Sequence, residues 1–214
     1  MSETKNILSS LDKLFSSIVV TPRREFLARG ATLMAAAAGG TNALFAKERK
    51  NAAQPAATDK DREYMAQAIK LMRRAGVVDR TGGPFGAIVM KDGEIIGAAG
   101  NSVLRDNDPT GHAEMNAIRA ACKKIGSPHV AGAILYSSCE PCPMCYSTAY
   151  WARVGKIFYG AEWKDYQDLF DDQAIDQDMK KPMAQRAIPV VELMRPEADA
   201  VWQEYRALPD KQRY

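Results

Sequence analysis

Two short segments constrain this chain more than anything else in it. Gly111-His112-Ala113-Glu114 and Cys139-Glu140-Pro141-Cys142-Pro143-Met144-Cys145 each sit at a predicted helix start, with one predicted strand between them. Either segment alone says little. Together they demand a topology in which a strand separates two helix N-termini and lets them converge. One imidazole and two thiolates fill the three protein positions of a catalytic zinc and leave the fourth for water. The expected ligands are therefore His112, Cys142 and Cys145. Cys142 and Cys145, three apart on a helical turn, can face one ion, and the helix N-terminus favours their thiolates. Glu114, two residues past His112, is expected to reach the metal-bound water and carry its proton. Zinc lowers the pKa of such a water from about 15.7 towards about 7.

Three of the four cysteines fall within seven residues, a spacing that favours metal over disulfides. Cys139 precedes the turn at a strand end and reads as a buried structural thiol, and Cys122 reads as core. His129, beside Pro128, reads as a surface loop residue. The alternative for the whole site is a closed zinc-binding turn with Cys139 as fourth ligand. Glu114 opposes it, since a structural site has no use for that carboxylate.

The elements around these segments follow from periodicity and turn signals. Thr58 and Asp61 form a capping pair, followed by Met65, Ala68, Ile69 and Met72 at helical spacing, with Gly76 as the end. Phe85–Met90 and Glu94–Ala99 read as strands joined by the turn at Lys91-Asp92-Gly93-Glu94. Residues 101–110 read as a polar loop. A helix is expected from Gly111 to about Ile125, strands over Ala133–Ser137 and Lys156–Tyr159, and a helix over Pro143–Trp151. Beyond Gly160 comes an acidic loop with short helical pieces, then a last strand over Ile188–Glu192 and a final helix over Pro196–Ala207. Strands alternating with helices after an opening hairpin predict a three-layer α/β/α sandwich with a mixed β-sheet.

Residues 1–46 read as an address. Arg23-Arg24-Glu25-Phe26-Leu27 ahead of the apolar run Ala31–Ala38 resembles a twin-arginine export signal, which implies a periplasmic enzyme. The alternative is a cytoplasmic protein with a surface helix or tail there. Residues 47–57 read as a linker and 58–214 as the catalytic domain. Beyond residue 46 the chain holds 24 basic and 23 acidic residues. That balance offers no footprint for a long nucleic acid, and no nucleic-acid partner is expected. No stretch reads as a stable membrane span.

The pairing of H-x-E with P-C-x-x-C is the zinc-deaminase signature. From about residue 59 onward the chain resembles the cytidine deaminase-like superfamily, and within it is similar to small bacterial guanine deaminases. The motifs that carry this are Gly-Gly-Pro-Phe-Gly-Ala (82–87), Asn-Asp-Pro-Thr-Gly-His-Ala-Glu (107–114), Ser-Cys-Glu-Pro-Cys-Pro-Met-Cys (138–145) and Tyr-Trp-Ala-Arg (150–153). Phe-Asp-Asp at 170–172 and the terminal Tyr214 are the more particular marks of guanine deaminases. The resemblance implies that Phe85 and Trp151 line a base pocket. It implies that Asn101 and the backbone of Ala113 hydrogen-bond the purine. It implies that Asp172 binds the base edge and shuttles a second proton, and that Tyr214 belongs to a C-terminal lid, in cis or on a partner subunit. It also implies a homodimer, a small-molecule nucleobase substrate, and the reaction of guanine and water to xanthine and ammonia. Other readings are a nucleoside deaminase acting on guanosine or cytidine, a tRNA-editing deaminase, and a non-catalytic zinc-stabilised binding protein.

Overall fold

The structure, a computed structural model, describes residues 56–212. The expected signal segment, the linker up to residue 55 and Tyr214 lie outside the described residues. Thr58 caps helix α1 (Asp59–Arg73) as its spacing predicts: its hydroxyl accepts from the Asp61 N–H, and the Asp61 carboxylate accepts from the Thr58 N–H at 2.7 Å. The helical run does not end at Gly76. It continues as a π-helical turn, Arg74–Val78, with the Asp79 N–H donating to the Arg74 carbonyl at 2.8 Å. Glycine is required at 76 by a close approach rather than by a helix end. A Cβ there would stand 2.5 Å from Pro84 Cα.

Strands β1 (Gly86–Lys91) and β2 (Glu94–Gly100) form the expected hairpin, with Lys91 opposite Glu94. Asp92 and Gly93, at φ 51° and 84°, supply the two positive-φ residues that a two-residue hairpin loop needs. The expected polar loop after β2 contains one helical turn, α2 (Val103–Asp106), and leads to α3 (Ala113–Ile125). β3 (Ile134–Cys139) returns antiparallel to β1. Helix α4 (Pro143–Trp151) then crosses over to β4 (Lys156–Ala161), which lies parallel to β3. The sheet order is β2-β1-β3-β4, a mixed sheet as predicted.

Alternation along the strands separates two cores. Ala87, Val89 and Leu135 face Ala117, Ile118 and Ala121 of α3 and Ala149 of α4. Ile88 and Tyr136 face Tyr64 and Ala68 of α1 on the opposite side. Helices therefore cover both faces, and the α/β/α sandwich is confirmed. Each fully buried Val or Leu contributes roughly 1.5–3 kcal/mol.

Beyond β4 the chain makes a 3₁₀ turn (Trp163–Asp165), α5 (Asp172–Met179), a second 3₁₀ turn (Met183–Gln185) and α6 (Arg195–Ala207). Ile188–Glu192 forms no strand, contrary to its apolar, β-branched composition. The segment pairs with no strand, and Ile188 and Val191 are about four-fifths exposed. His129 also departs from expectation: it is half-buried, with its Nε2 enclosed and without a hydrogen-bond partner among the described residues. Among the described residues no helix is long and apolar enough to cross a membrane.

The register fixes where chemistry can occur. Gly86 pairs with Gly100, and Ala87 with Ser137. The start of β1, the end of β2 and the end of β3 therefore meet at one end of the strands. The N-termini of α3 and α4 open at the same end.

Candidate active site

His112 is the N-cap residue of α3 and Cys142 the N-cap of α4, where Pro143 occupies the first turn and sets the helical φ. The two segments read from the sequence thus become two helix mouths facing each other. His112 Nδ1 lies 3.6 Å from Cys142 Sγ and 3.5 Å from Cys145 Sγ. All three donor atoms lie within 4.8 Å of one another. Zinc–nitrogen and zinc–sulfur bonds of about 2.0–2.1 and 2.3 Å at a tetrahedral angle place N and S roughly 3.6 Å apart. The donor set and its spacing therefore fit zinc. Cys139 is buried beside this cluster but is not one of its three members, and Ser138 Oγ contacts its sulfur at 3.7 Å. Burial pushes its thiol up to about 11. All four cysteines are free, and Cys122 is half-buried against the α3-side core.

The Cys145 thiol and the His112 ring draw the Cys142 thiol well below its ordinary value. Cys145 is held up by the same shared proton and by burial next to Glu114. His112 in turn is raised chiefly by its contact with Cys142.

Glu114, in the first turn of α3, is 4% exposed. Its Oε1 accepts from the Ser137 hydroxyl of β3 at 2.9 Å, and its Oε2 lies 3.5 Å from Cys145 Sγ. Burial raises its pKa above the ordinary carboxylate range. A carboxyl beside a metal triad, buried and inclined to hold a proton, suits general acid–base work.

His112, Cys142 and Glu114 open onto a cavity of about 470 Å³. Phe85, Asn101 and Asp172, all expected at a base pocket, line it too. Asn101 is buried, and its Oδ1 accepts from the Val103 N–H at 3.0 Å. Gly82 makes this possible: a Cβ there would stand 1.9 Å from Asn101 Oδ1. Phe85 meets Phe170 edge-to-face at 5.0 Å. Asp172, the first residue of α5, is 9% exposed and accepts from the Tyr166 hydroxyl at 3.2 Å. Burial and then the Cys142 charge raise its pKa. Ala113 is buried directly behind His112, at the start of α3.

Trp151 ends α4, 54% exposed, and is not among the residues of its own chain that line the cavity. The ligands occupy the N-terminal turn of that helix, and Tyr150 and Trp151 in its last turn stand on the surface. No described residue beyond Asp172 lines the cavity, so the C-terminal segment does not close over the site of its own chain as far as residue 212. Three further residues at the site, Glu140, Phe170 and Tyr166, carry no individual signal in the sequence. Phe170 lies within the Phe-Asp-Asp motif, whereas Tyr166 sits in irregular chain that has no periodicity to read.

Residues 58–161 match the model of the cytidine and deoxycytidylate deaminase zinc-binding region. The guanine deaminase of Bacillus subtilis is 45% identical over 152 residues, 71% of this chain and 97% of that protein. The chain belongs to the guanine deaminase family. The X-ray structure of the Bacillus subtilis family member superposes with a TM-score of 0.68 at 42% identity, covering 72% of this chain and 98% of that one. A tRNA-specific adenosine deaminase of Agrobacterium fabrum is 39% identical over 99 residues, 46% of this chain and 64% of that protein. As a member of this family the chain is a zinc-dependent hydrolase, and its cofactor is zinc.

Proposed function

We propose that this enzyme hydrolyses guanine to xanthine and ammonia. The observation that carries the reading is the near-full-length match to a guanine deaminase, at 45% identity across 97% of that relative. The match to the tRNA deaminase is shorter, at 99 residues, and the near-even charge beyond residue 46 supports a small substrate.

In this reading His112, Cys142 and Cys145 would hold the zinc, which would supply acidification of a water at the mouth of the two helices. Glu114 takes one proton from the attacking water on its carboxylate. It then delivers that proton to the ring nitrogen beside the amino-bearing carbon. Burial inclines the carboxyl to carry a proton, and the bond from Ser137, which by itself favours the ionised form, keeps it aimed. Phe85 stacks against the base. Asn101 has its Oδ1 committed to Val103, so its amide NH₂ is the end offered to a purine acceptor. The backbone of Ala113 assists, and Asp172 accepts from the base edge and carries the second proton of the water, from the newly added hydroxyl to the departing amine. Guanine and water thereby become xanthine and ammonia, with every atom accounted for.

The segment over residues 187–210 is exposed throughout and carries Ile188, Val191, Leu193 and Trp202 on its surface. That apolar length supports a homodimer in which the C-terminal lid, including Tyr214, closes on the partner subunit. Trp151, exposed on α4, would then belong to the partner-facing side. The twin-arginine pattern at Arg23-Arg24 supports export to the periplasm. Asp172→Ala tests the base-pocket reading. Guanine turnover should fall at least about a hundredfold with zinc content unchanged, and unaltered turnover would remove the guanine assignment.

A further inference from the structure

We propose that Tyr166 is a positioning residue for Asp172. Its hydroxyl, set between the Asp172 carboxylate and the Glu140 carbonyl, keeps that carboxyl at the cavity wall in both protonation states. The inference rests on the reading of Asp172 given above.

Tyr166 follows the 3₁₀ turn Trp163–Asp165, in a strap that leads from β4 to α5. The strap is fastened to the segment before the metal ligands. The Trp163 indole Nε1 donates to the Glu140 carbonyl at 3.0 Å, and the Trp163 N–H donates to Glu140 Oε2 at 3.4 Å. Tyr166 makes the next fastening. Its ring packs edge-on against Phe85 at 5.5 Å and Phe170 at 6.2 Å, so the ring itself is held by apolar contacts. The hydroxyl that emerges from this packing has two acceptors, Asp172 Oδ2 at 3.2 Å and the Glu140 carbonyl at 3.4 Å.

One hydroxyl carries one proton, and the two acceptors give it two settings. When Asp172 is ionised, the hydroxyl donates to Oδ2. When Asp172 carries a proton, the carboxyl donates to the tyrosine oxygen and the hydroxyl turns to the Glu140 carbonyl. In both settings the hydroxyl and the Asp172 carboxyl stay paired. A carboxyl that gains and loses a proton during turnover is thus held without moving the strap. Phenylalanine at 166 would keep the ring and lose both settings.

The test is a double-mutant cycle on the full-length zinc-loaded protein, reading kcat/KM for guanine. Tyr166→Phe should lower it about tenfold in the parent. In an Asp172→Ala background the same change should matter less than about twofold. If Asp172→Ala turnover is undetectable, the same cycle is read as affinity for 8-azaguanine. Because Phe keeps the packing on Phe85, the thermal midpoint should stay near that of the parent. An equal loss in both backgrounds would mean that Tyr166 acts through packing alone, and no loss in the parent would also overturn the proposal. Full guanine turnover by Asp172→Ala alone would instead strike the role of Asp172 itself, and so is distinguishable.

Discussion

The Ser137 hydroxyl on β3 donates to Glu114 Oε1 on α3 at 2.9 Å, both groups being almost fully enclosed. That bond ties the carboxyl to the end of the central strand β3, where the ligands converge. Ser137→Ala should leave zinc bound and the fold intact, while removing one of the bonds that aims Glu114. Steady-state kinetics should show kcat reduced about tenfold with a much smaller change in KM, because the proton carrier is misaimed while the groups that bind the base stay in place.

Gly82 stands so close to Asn101 that a methyl group there must displace the amide. Gly82→Ala should therefore raise KM for guanine by about tenfold or more while Glu114 chemistry persists. A KM within about twofold of the parent would show that Asn101 does not hold the base.

Cys142 supplies one of three donors, and the remaining two cannot complete a three-ligand site. Cys142→Ala should bring zinc content from about one per chain to below about a tenth, together with loss of turnover. Metal analysis of the purified protein checks this directly. Chelation of the parent should lower its thermal midpoint, because the ion joins the N-termini of α3 and α4.

Asp61 joins the helix cap to the sheet, accepting from the Tyr136 hydroxyl at 2.5 Å and from Thr58. The Tyr136 bond and then the cap bonds hold its pKa below the ordinary carboxylate value. A depressed folded-state pKa stabilises the fold above the unfolded value of about 3.9, and that contribution fades as pH falls through the folded value. Thermal midpoints should thus decline as pH drops below about 4. In Asp61→Asn this group's share of the decline should be absent, with a lower midpoint at neutral pH.

Much of the molecule was legible in the sequence, for identifiable reasons. The ligands and Glu114 are encoded by spacing within two short segments, each at a helix start, so nothing distant is needed to find them. The hairpin announces itself at Asp92-Gly93, where positive φ is needed. The π-helical turn was not legible, because Gly76 as an end signal and Gly76 as a neighbour of Pro84 look alike in one dimension. Ile188–Glu192 has the composition of a strand but no ladder neighbour, and pairing is a property of the whole sheet. Trp151 stands apart from the cavity of its own chain because α4 carries ligands on its first turn and exposed aromatics on its last. Tyr166 lies in irregular chain, where only the folded strap brings its hydroxyl to Asp172.

Guanine deamination by a zinc site with Glu114 as proton carrier is tested most directly by following ammonia release from guanine, guanosine, cytosine, cytidine and adenine in parallel, with Glu114→Gln as the blank. Turnover of guanine alone is expected, lost in Glu114→Gln although zinc stays bound. A riboside turned over in preference to guanine, or guanine turnover that survives in Glu114→Gln, would contradict it.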